Sequence, residues 1–159
     1  MKQFFLLGFG IFFIITLKAQ NVGSGETIQF DIKQLAVTKA KVQSGDKSVM
    51  DAYNKLITSA NKILSYKPVS VMDKVDIPPS GNKHDYVSLA PYWWPNPNTP
   101  NGLPYIRKDG EINPEVKNYP DKQSMPRLCG NIYLLGIAYY LSGNEQYAKK
   151  VNELMTVWF

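Results

Sequence analysis

The sequence predicts an all-α protein of helical hairpins, interrupted by one long loop rich in proline and aromatic residues. Three observations carry this expectation. Apolar residues recur at helical spacing on both sides of the chain's middle. All eleven prolines fall between Pro68 and Pro126. The same stretch holds the adjacent pair Trp93-Trp94 and the single histidine, His84. The 159 residues contain one cysteine, Cys129, so no intramolecular disulfide can staple the chain. Cys129 sits in an apolar helical pattern and is expected to be a buried structural thiol.

The elements follow in order. Met1-Lys2 is a short positive segment, Phe4 to Leu17 is an apolar run, and Leu17-Lys18-Ala19-Gln20 offers a small residue for cleavage. This is the secretory pattern, with residues 1–19 as signal peptide, cleavage after Ala19 and a periplasmic or secreted destination. The run is shorter than the roughly 20 residues of a membrane span, so no stable span is expected after cleavage; an uncleaved anchor is the competing reading. Residues 20–30 read as a flexible lead-in to a domain covering 31–159. Ile32, Leu35, Ala36, Lys39 and Val42 suggest a helix from about Asp31 to Gln43, broken by Ser44-Gly45-Asp46. Asp46 is a plausible N-cap for the next helix, which runs to about Tyr66 with Val49, Tyr53, Leu56, Ile57, Ala60, Ile63 and Leu64 on one stripe. Pro68 closes it. No regular helix is expected from 67 to 126, yet the aromatics there argue against a disordered linker. Ordered loops of that length are usually functional.

Helix is expected again after Pro126, with Leu128, Ile132, Leu135, Ile137, Ala138 and Leu141 on one face and Gly143 as the left-handed stop. Tyr147, Ala148, Val151, Leu154, Met155 and Trp158 open a final helix. Two helical hairpins without a fixed-period repeat fit the N-terminal part of an (α/α) toroid better than a repeat array. The chain ends on apolar residues inside an amphipathic helix, which predicts truncation at the C-terminus, with Val151, Leu154 and Trp158 lacking partners and the isolated chain inactive and poorly stable.

Charge and chemistry narrow the function. The formal charge of +5 falls to +3 once Lys2 and Lys18 leave with the signal peptide. That mild excess suits an acidic partner, while the scattered lysines speak against nucleic acid. Within the loop, Tyr86, Tyr92, Trp93 and Trp94 offer flat apolar faces with polar edges, and Lys83, Asn96, Arg107 and Lys108 offer donors. Sugar rings have apolar C–H faces and hydroxyl rims, so this mixture suits a carbohydrate. Arg107, Lys83 and Lys108 are able to pair with the carboxylates of an acidic sugar. At least one of Trp93 and Trp94 is expected to plug the loop onto the helices, because neighbouring side chains of an extended segment face opposite ways. His84 beside Asp85 is either a catalytic pair or a structural strut. One histidine and one cysteine make a metal site a poor expectation, and there is no nucleophile elbow or phosphate loop.

The run His84-Asp85-Tyr86-x-Ser88-Leu89-Ala90-Pro91-Tyr92-Trp93-Trp94-Pro95 resembles the alginate lyase domain of bacterial polysaccharide lyases. So do Gly102-Leu103-Pro104-Tyr105, Arg107-x-Asp109-Gly110-x-x-Asn113-Pro114-Glu115, Tyr139-Tyr140-Leu141-x-Gly143, Tyr147-Ala148 and Trp158-Phe159. The likeness spans about residues 45 to 159, and the leader ending Lys18-Ala19-Gln20 is similar to those of Bacteroidota. The resemblance implies an (α/α) toroid and β-elimination at a 4-linked uronate, with no cofactor. Such a reaction needs a group that neutralises the carboxylate beside C5, a base for the C5 proton and an acid for the leaving O4. In the family an Asn-His pair, a Tyr and an Arg on later helices do this, so the chain is expected to lack the main catalytic residues. Lys83, His84, Tyr86, Tyr92, Trp93, Trp94, Asn96 and Arg107 are then candidate substrate contacts, with His84 or Tyr86 as weaker candidates for proton transfer. The expected partner is an acidic, uronate-containing polysaccharide. A non-catalytic module binding acidic glycans is the alternative, and a helical scaffold that binds protein through the loop ranks last.

Overall fold

The computed structural model describes residues 29–159. The expected signal peptide, residues 1–19, and most of the expected lead-in lie outside the described residues. Among the described residues, four helices carry the fold: α1 (Ile32–Gln43), α2 (Lys47–Leu64), α3 (Asp121–Ser142) and α4 (Glu145–Trp158). The long segment between α2 and α3 holds short 3-10 turns at Val71–Asp73 and Pro114–Asn118 and two short strands, β1 (Trp93–Trp94) and β2 (Ile106–Arg107). Among the described residues, no helix is long and apolar enough to cross a membrane.

The helix starts are built as their sequences dictate. Asp31 caps α1 by accepting from the Lys33 amide at 2.8 Å, and Asp46 caps α2 by accepting from the Ser48 amide at 2.9 Å. Asn144 does the same for α4 through the Gln146 amide at 3.0 Å. Gly143 ends α3 at φ 71°, a left-handed conformation that glycine adopts without steric cost.

The core forms where α2, α3 and α4 meet. Ala60 of α2 and Leu135 and Ala138 of α3 are fully buried, and Tyr147, Leu154 and Trp158 of α4 are each 2% exposed. The alanines let the helix axes approach closely, and the large α4 side chains fill the space they leave. The Tyr147 hydroxyl donates to Asn61 Oδ1 at 2.8 Å, so this polar tip pushed into the interface is satisfied. Val71 brings the start of the loop against the same cluster. Phe30 stacks on Tyr133 of α3 with centroids 5.4 Å apart, while α1 itself buries no residue fully.

Three expectations need correction. Leu154 and Trp158 are core residues and Val151 packs against them, because α4 folds back along α3 and also reaches α2. Cys129 is exposed: it lies one residue beyond the buried Leu128, about 100° round the helix, and so faces outward. Helix α3 starts at Asp121, before Pro126 rather than after it. Proline in the second turn forfeits one backbone bond, and the buried Asp121 anchors the first turn strongly enough to offset that loss. The loop also holds a short ribbon, in which β1 and β2 pair antiparallel, Trp93 opposite Arg107 and Trp94 opposite Ile106.

Candidate functional site

Two local structures present the candidate residues, and each hangs on a buried polar group. The first is the turn from Asn82 to Val87. Lys74 and Asp121 form an ion pair at 3.1 Å with side chains 0% and 1% exposed. Lys74 Nζ also donates to the Val71 carbonyl and, at 2.6 Å, to the Lys83 carbonyl. Asp121 Oδ2 accepts from the Val87 amide at 3.0 Å. All three ammonium protons therefore have a partner. Removing one member of such a buried pair typically costs about 3–5 kcal/mol, since it strands the other charge.

Between these anchors His84, Asp85 and Tyr86 are exposed. The His84 ring nitrogen Nδ1 lies 3.2 Å from Asn82 Oδ1, which also accepts from the His84 amide at 3.0 Å. The imidazole is thus paired with Asn82 and not with Asp85. Lys83 extends its ammonium towards the Met72 carbonyl at 3.5 Å.

The second structure is the β1–β2 ribbon. Direct partners across an antiparallel pair project from the same face, and the next residue along projects from the other. Trp93 and Arg107 therefore share one face, and Trp94 and Ile106 share the other. The burial agrees: Trp93 is 43% exposed and Arg107 is exposed, whereas Trp94 and Ile106 are half-buried. Trp94 is the tryptophan that plugs the loop down. Its Nε1 donates to the Glu111 carbonyl at 3.1 Å, and Lys108 Nζ sits 4.7 Å from its ring centroid in cation–π contact. On the open face, Arg107 Nε binds Asp109 Oδ1 at 2.7 Å, a pair exposed enough to exchange partners readily. Tyr92 is 40% exposed at the strand's edge, and its carbonyl accepts from the Lys108 amide.

Two-residue strands are too short to hold themselves together. Asn113, 1% exposed, supplies what they lack. Its Nδ2 donates to the Trp93 carbonyl at 2.9 Å, its Oδ1 accepts from the Glu115 amide at 3.0 Å, and its own amide donates to the Pro91 carbonyl. Asn96 serves the turn leaving β1: its Oδ1 accepts from the Asn98 amide at 3.0 Å and its amide donates to the Gly102 carbonyl at 2.8 Å. Gly102 is obligatory there, because a Cβ would meet Pro95 Cβ at 3.0 Å and φ is 70°.

The candidates therefore fall into groups. Tyr92, Trp93 and Arg107 gather on the ribbon with Trp94 beneath them. Lys83, His84 and Tyr86 occupy the anchored turn. Asn96 shapes a bend. Three surface cavities of about 210, 290 and 200 Å³ lie between helical residues elsewhere, and these candidates line none of the three. Lys74, Asp121 and Asn113 were missed as organisers of the site. Asn113-Pro114-Glu115 is a legible cap signal, with proline and an acid in the first turn. Lys74 and Asp121 carry no comparable signal, because only the fold brings them together. At the end of that 3-10 turn, burial, the charge of Asp76, the neighbouring Tyr105 and the charge of Glu115 all hold the Tyr119 phenol above its usual range. It therefore stays protonated. Among the described residues, no group of three or more His, Cys, Asp or Glu gathers as metal ligands do.

The ribbon presents an apolar ring face and a guanidinium, and the anchored turn presents an imidazole, a phenol and an ammonium group. Comparisons with known proteins show the family. The alginate lyase family matches residues 70–159. The crystal structure of an alginate lyase from Bacteroides ovatus is 43% identical with a TM-score of 0.65, over 80% of this chain and 33% of that one. The chain thus spans about a third of the length of that enzyme. No curated protein matches.

Proposed function

Since the chain belongs to the alginate lyase family, we propose that it supplies a glycan-binding wall of a polysaccharide lyase that cleaves 4-linked uronate polymers such as alginate by β-elimination. One observation carries the reading: Trp93 and Arg107 are direct partners across the ribbon, exposed on one face. A uronate ring has an apolar C–H face and a carboxylate at its edge. The Trp93 indole takes the first and the Arg107 guanidinium takes the second, in bidentate fashion, after releasing Asp109. Tyr92 extends the ring surface, and Lys83, His84, Tyr86 and Asn96 offer further polar contacts.

The main proton-transfer groups belong outside the residues described. His84 and Tyr86 are the weaker candidates within them, and unchanged turnover in a His84→Ala enzyme would remove His84 from the chemistry. The leader pattern of residues 1–19 supports action in the periplasm or outside the cell, where such polymers are met.

The test uses the full-length protein, titrated with alginate oligosaccharides and with a neutral glucan. Trp93→Ala and Arg107→Ala should each weaken alginate binding about tenfold, the scale of one lost aromatic or charged contact, while leaving the unfolding midpoint in place. Wild-type affinity in both variants refutes the wall. Formation of unsaturated uronate, followed by ultraviolet absorbance, separates the lyase from its alternative, a non-catalytic acidic-glycan-binding module. The alternative draws on the local engagement of both His84 and Arg107 by neighbouring side chains.

A further inference from the structure

Lys74 and Asp121 have no place in the glycan wall, yet each is only 1% exposed. A buried ion pair seldom adds stability beyond what well-packed apolar residues would give, so the pair is better explained by what else it holds. Lys74 Nζ takes the carbonyl of Lys83 at 2.6 Å, and Asp121 Oδ2 takes the amide of Val87 at 3.0 Å. These two backbone groups flank His84-Asp85-Tyr86. One ion pair thus closes the neck of the turn, tying it to the loop's first 3-10 turn on one side and to the start of α3 on the other. Every ammonium donor is used, which leaves the neck a single arrangement.

We propose that Lys74 and Asp121 are positioning residues that hold His84 and Tyr86 at a fixed place against the acidic glycan. The proposal rests on the reading that this loop receives such a glycan. It adds that affinity depends on the buried pair through the turn, not through overall stability.

The decisive variant leaves the pair itself untouched. Val87→Pro deletes the amide that Asp121 accepts, though it also fixes the backbone at 87 and restricts Tyr86, so it is read together with Lys74→Gln; Val87→Ala keeps the amide. In the full-length protein, titrated with alginate oligosaccharides of defined length, Val87→Pro should bind roughly tenfold more weakly, within the range of couplings seen between contacting groups. Val87→Ala should bind as the wild type does. In a His84→Ala/Tyr86→Ala background, Val87→Pro should cause no further loss, because the side chains it positions are gone. Lys74→Gln, run beside it, should show the same loss and the same silence in that background; if it fails to fold, the Val87 series still decides. A wild type that binds while Val87→Pro binds equally well overturns the positioning role alone. An undiminished loss in the double-alanine background also overturns it, since the effect would then be general. A wild type that binds no alginate overturns both this inference and the function it rests on.

Discussion

Replacing Asn113 by alanine should loosen the ribbon, and the size of the effect can be worked from its bonds. The side chain is almost fully buried and makes two well-formed hydrogen bonds, to the Trp93 carbonyl at 2.9 Å and from the Glu115 amide at 3.0 Å. Its contact with Glu115 Oε2, at 3.4 Å, is too long to count for much. Each good bond contributes about 1 kcal/mol net, and stranding a buried carbonyl raises the cost by a further 1 kcal/mol or so. The bond to Glu115 doubles as the cap of the 3-10 turn, so it must not be counted twice. The expected loss is about 2–4 kcal/mol in urea unfolding, provided the loop melts with the helices. If the loop opens by itself, the loss appears instead as faster amide exchange at Lys108, whose N–H binds the Tyr92 carbonyl. Asn113→Asp separates the two bonds: it keeps the acceptor for Glu115 but loses the donor to Trp93 and adds a charge beside Glu115. It should therefore be no milder than alanine. A change under about 0.5 kcal/mol for Asn113→Ala, with Lys108 exchange unaltered, would refute the idea that Asn113 pins the ribbon.

Further outcomes follow from the same geometry. Trp94→Ala should cost about 1–3 kcal/mol of stability through the lost indole bond, ring packing and Lys108 contact, in contrast to the neutral effect expected of Trp93→Ala in thermal unfolding. Asp109→Asn should change stability by less than about 0.5 kcal/mol, since the pair is exposed. It should nevertheless tighten alginate binding at low salt by freeing Arg107, and a titration showing weaker binding would contradict the assigned role. The backbone and side-chain hydrogen bonds from Ser48 hold the Asp46 carboxyl below its usual 3.8, with the charge of Lys41 acting the same way. A depressed folded value means that the cap stabilises above pH 3.8 and is lost as pH falls through that lower value. Acid unfolding of Asp46→Asn, which caps without titrating, should lack this component; a curve parallel to the wild type's would refute it.

The helices were legible because their signals are local. Asp46 caps α2 as its position suggests, and Gly143 stops α3 in the left-handed conformation expected of it. The α2 stripe predicts its packing face, since a period of 3.6 places those residues on one side whatever they meet. The loop was legible as ordered and aromatic, but not in its geometry. Nothing in Trp93-Trp94 says which ring is open. That depends on pairing with Ile106 and Arg107, which lie beyond a bend made by Asn96 and Gly102. The start of α3 was misplaced for a related reason: Pro126 argues locally against helix, and a buried contact from Asp121 to Lys74 outweighs it.

By itself, then, the sequence determined the helical class, the helix caps, the likeness to alginate lyases and the belt of rings and cations between the hairpins. Those features follow from spacing, short-range backbone chemistry and residue identity. Only the tertiary structure decided that Trp93 faces outward with Arg107 while Trp94 is tied down, that Leu154 and Trp158 find a core, and that Lys74 and Asp121 meet beneath the turn at His84. Each of these joins groups remote in the chain. Hydrogen bonds and buried charges at long separation leave no periodic trace, because their partners are chosen by the folded backbone and not by neighbours in the sequence.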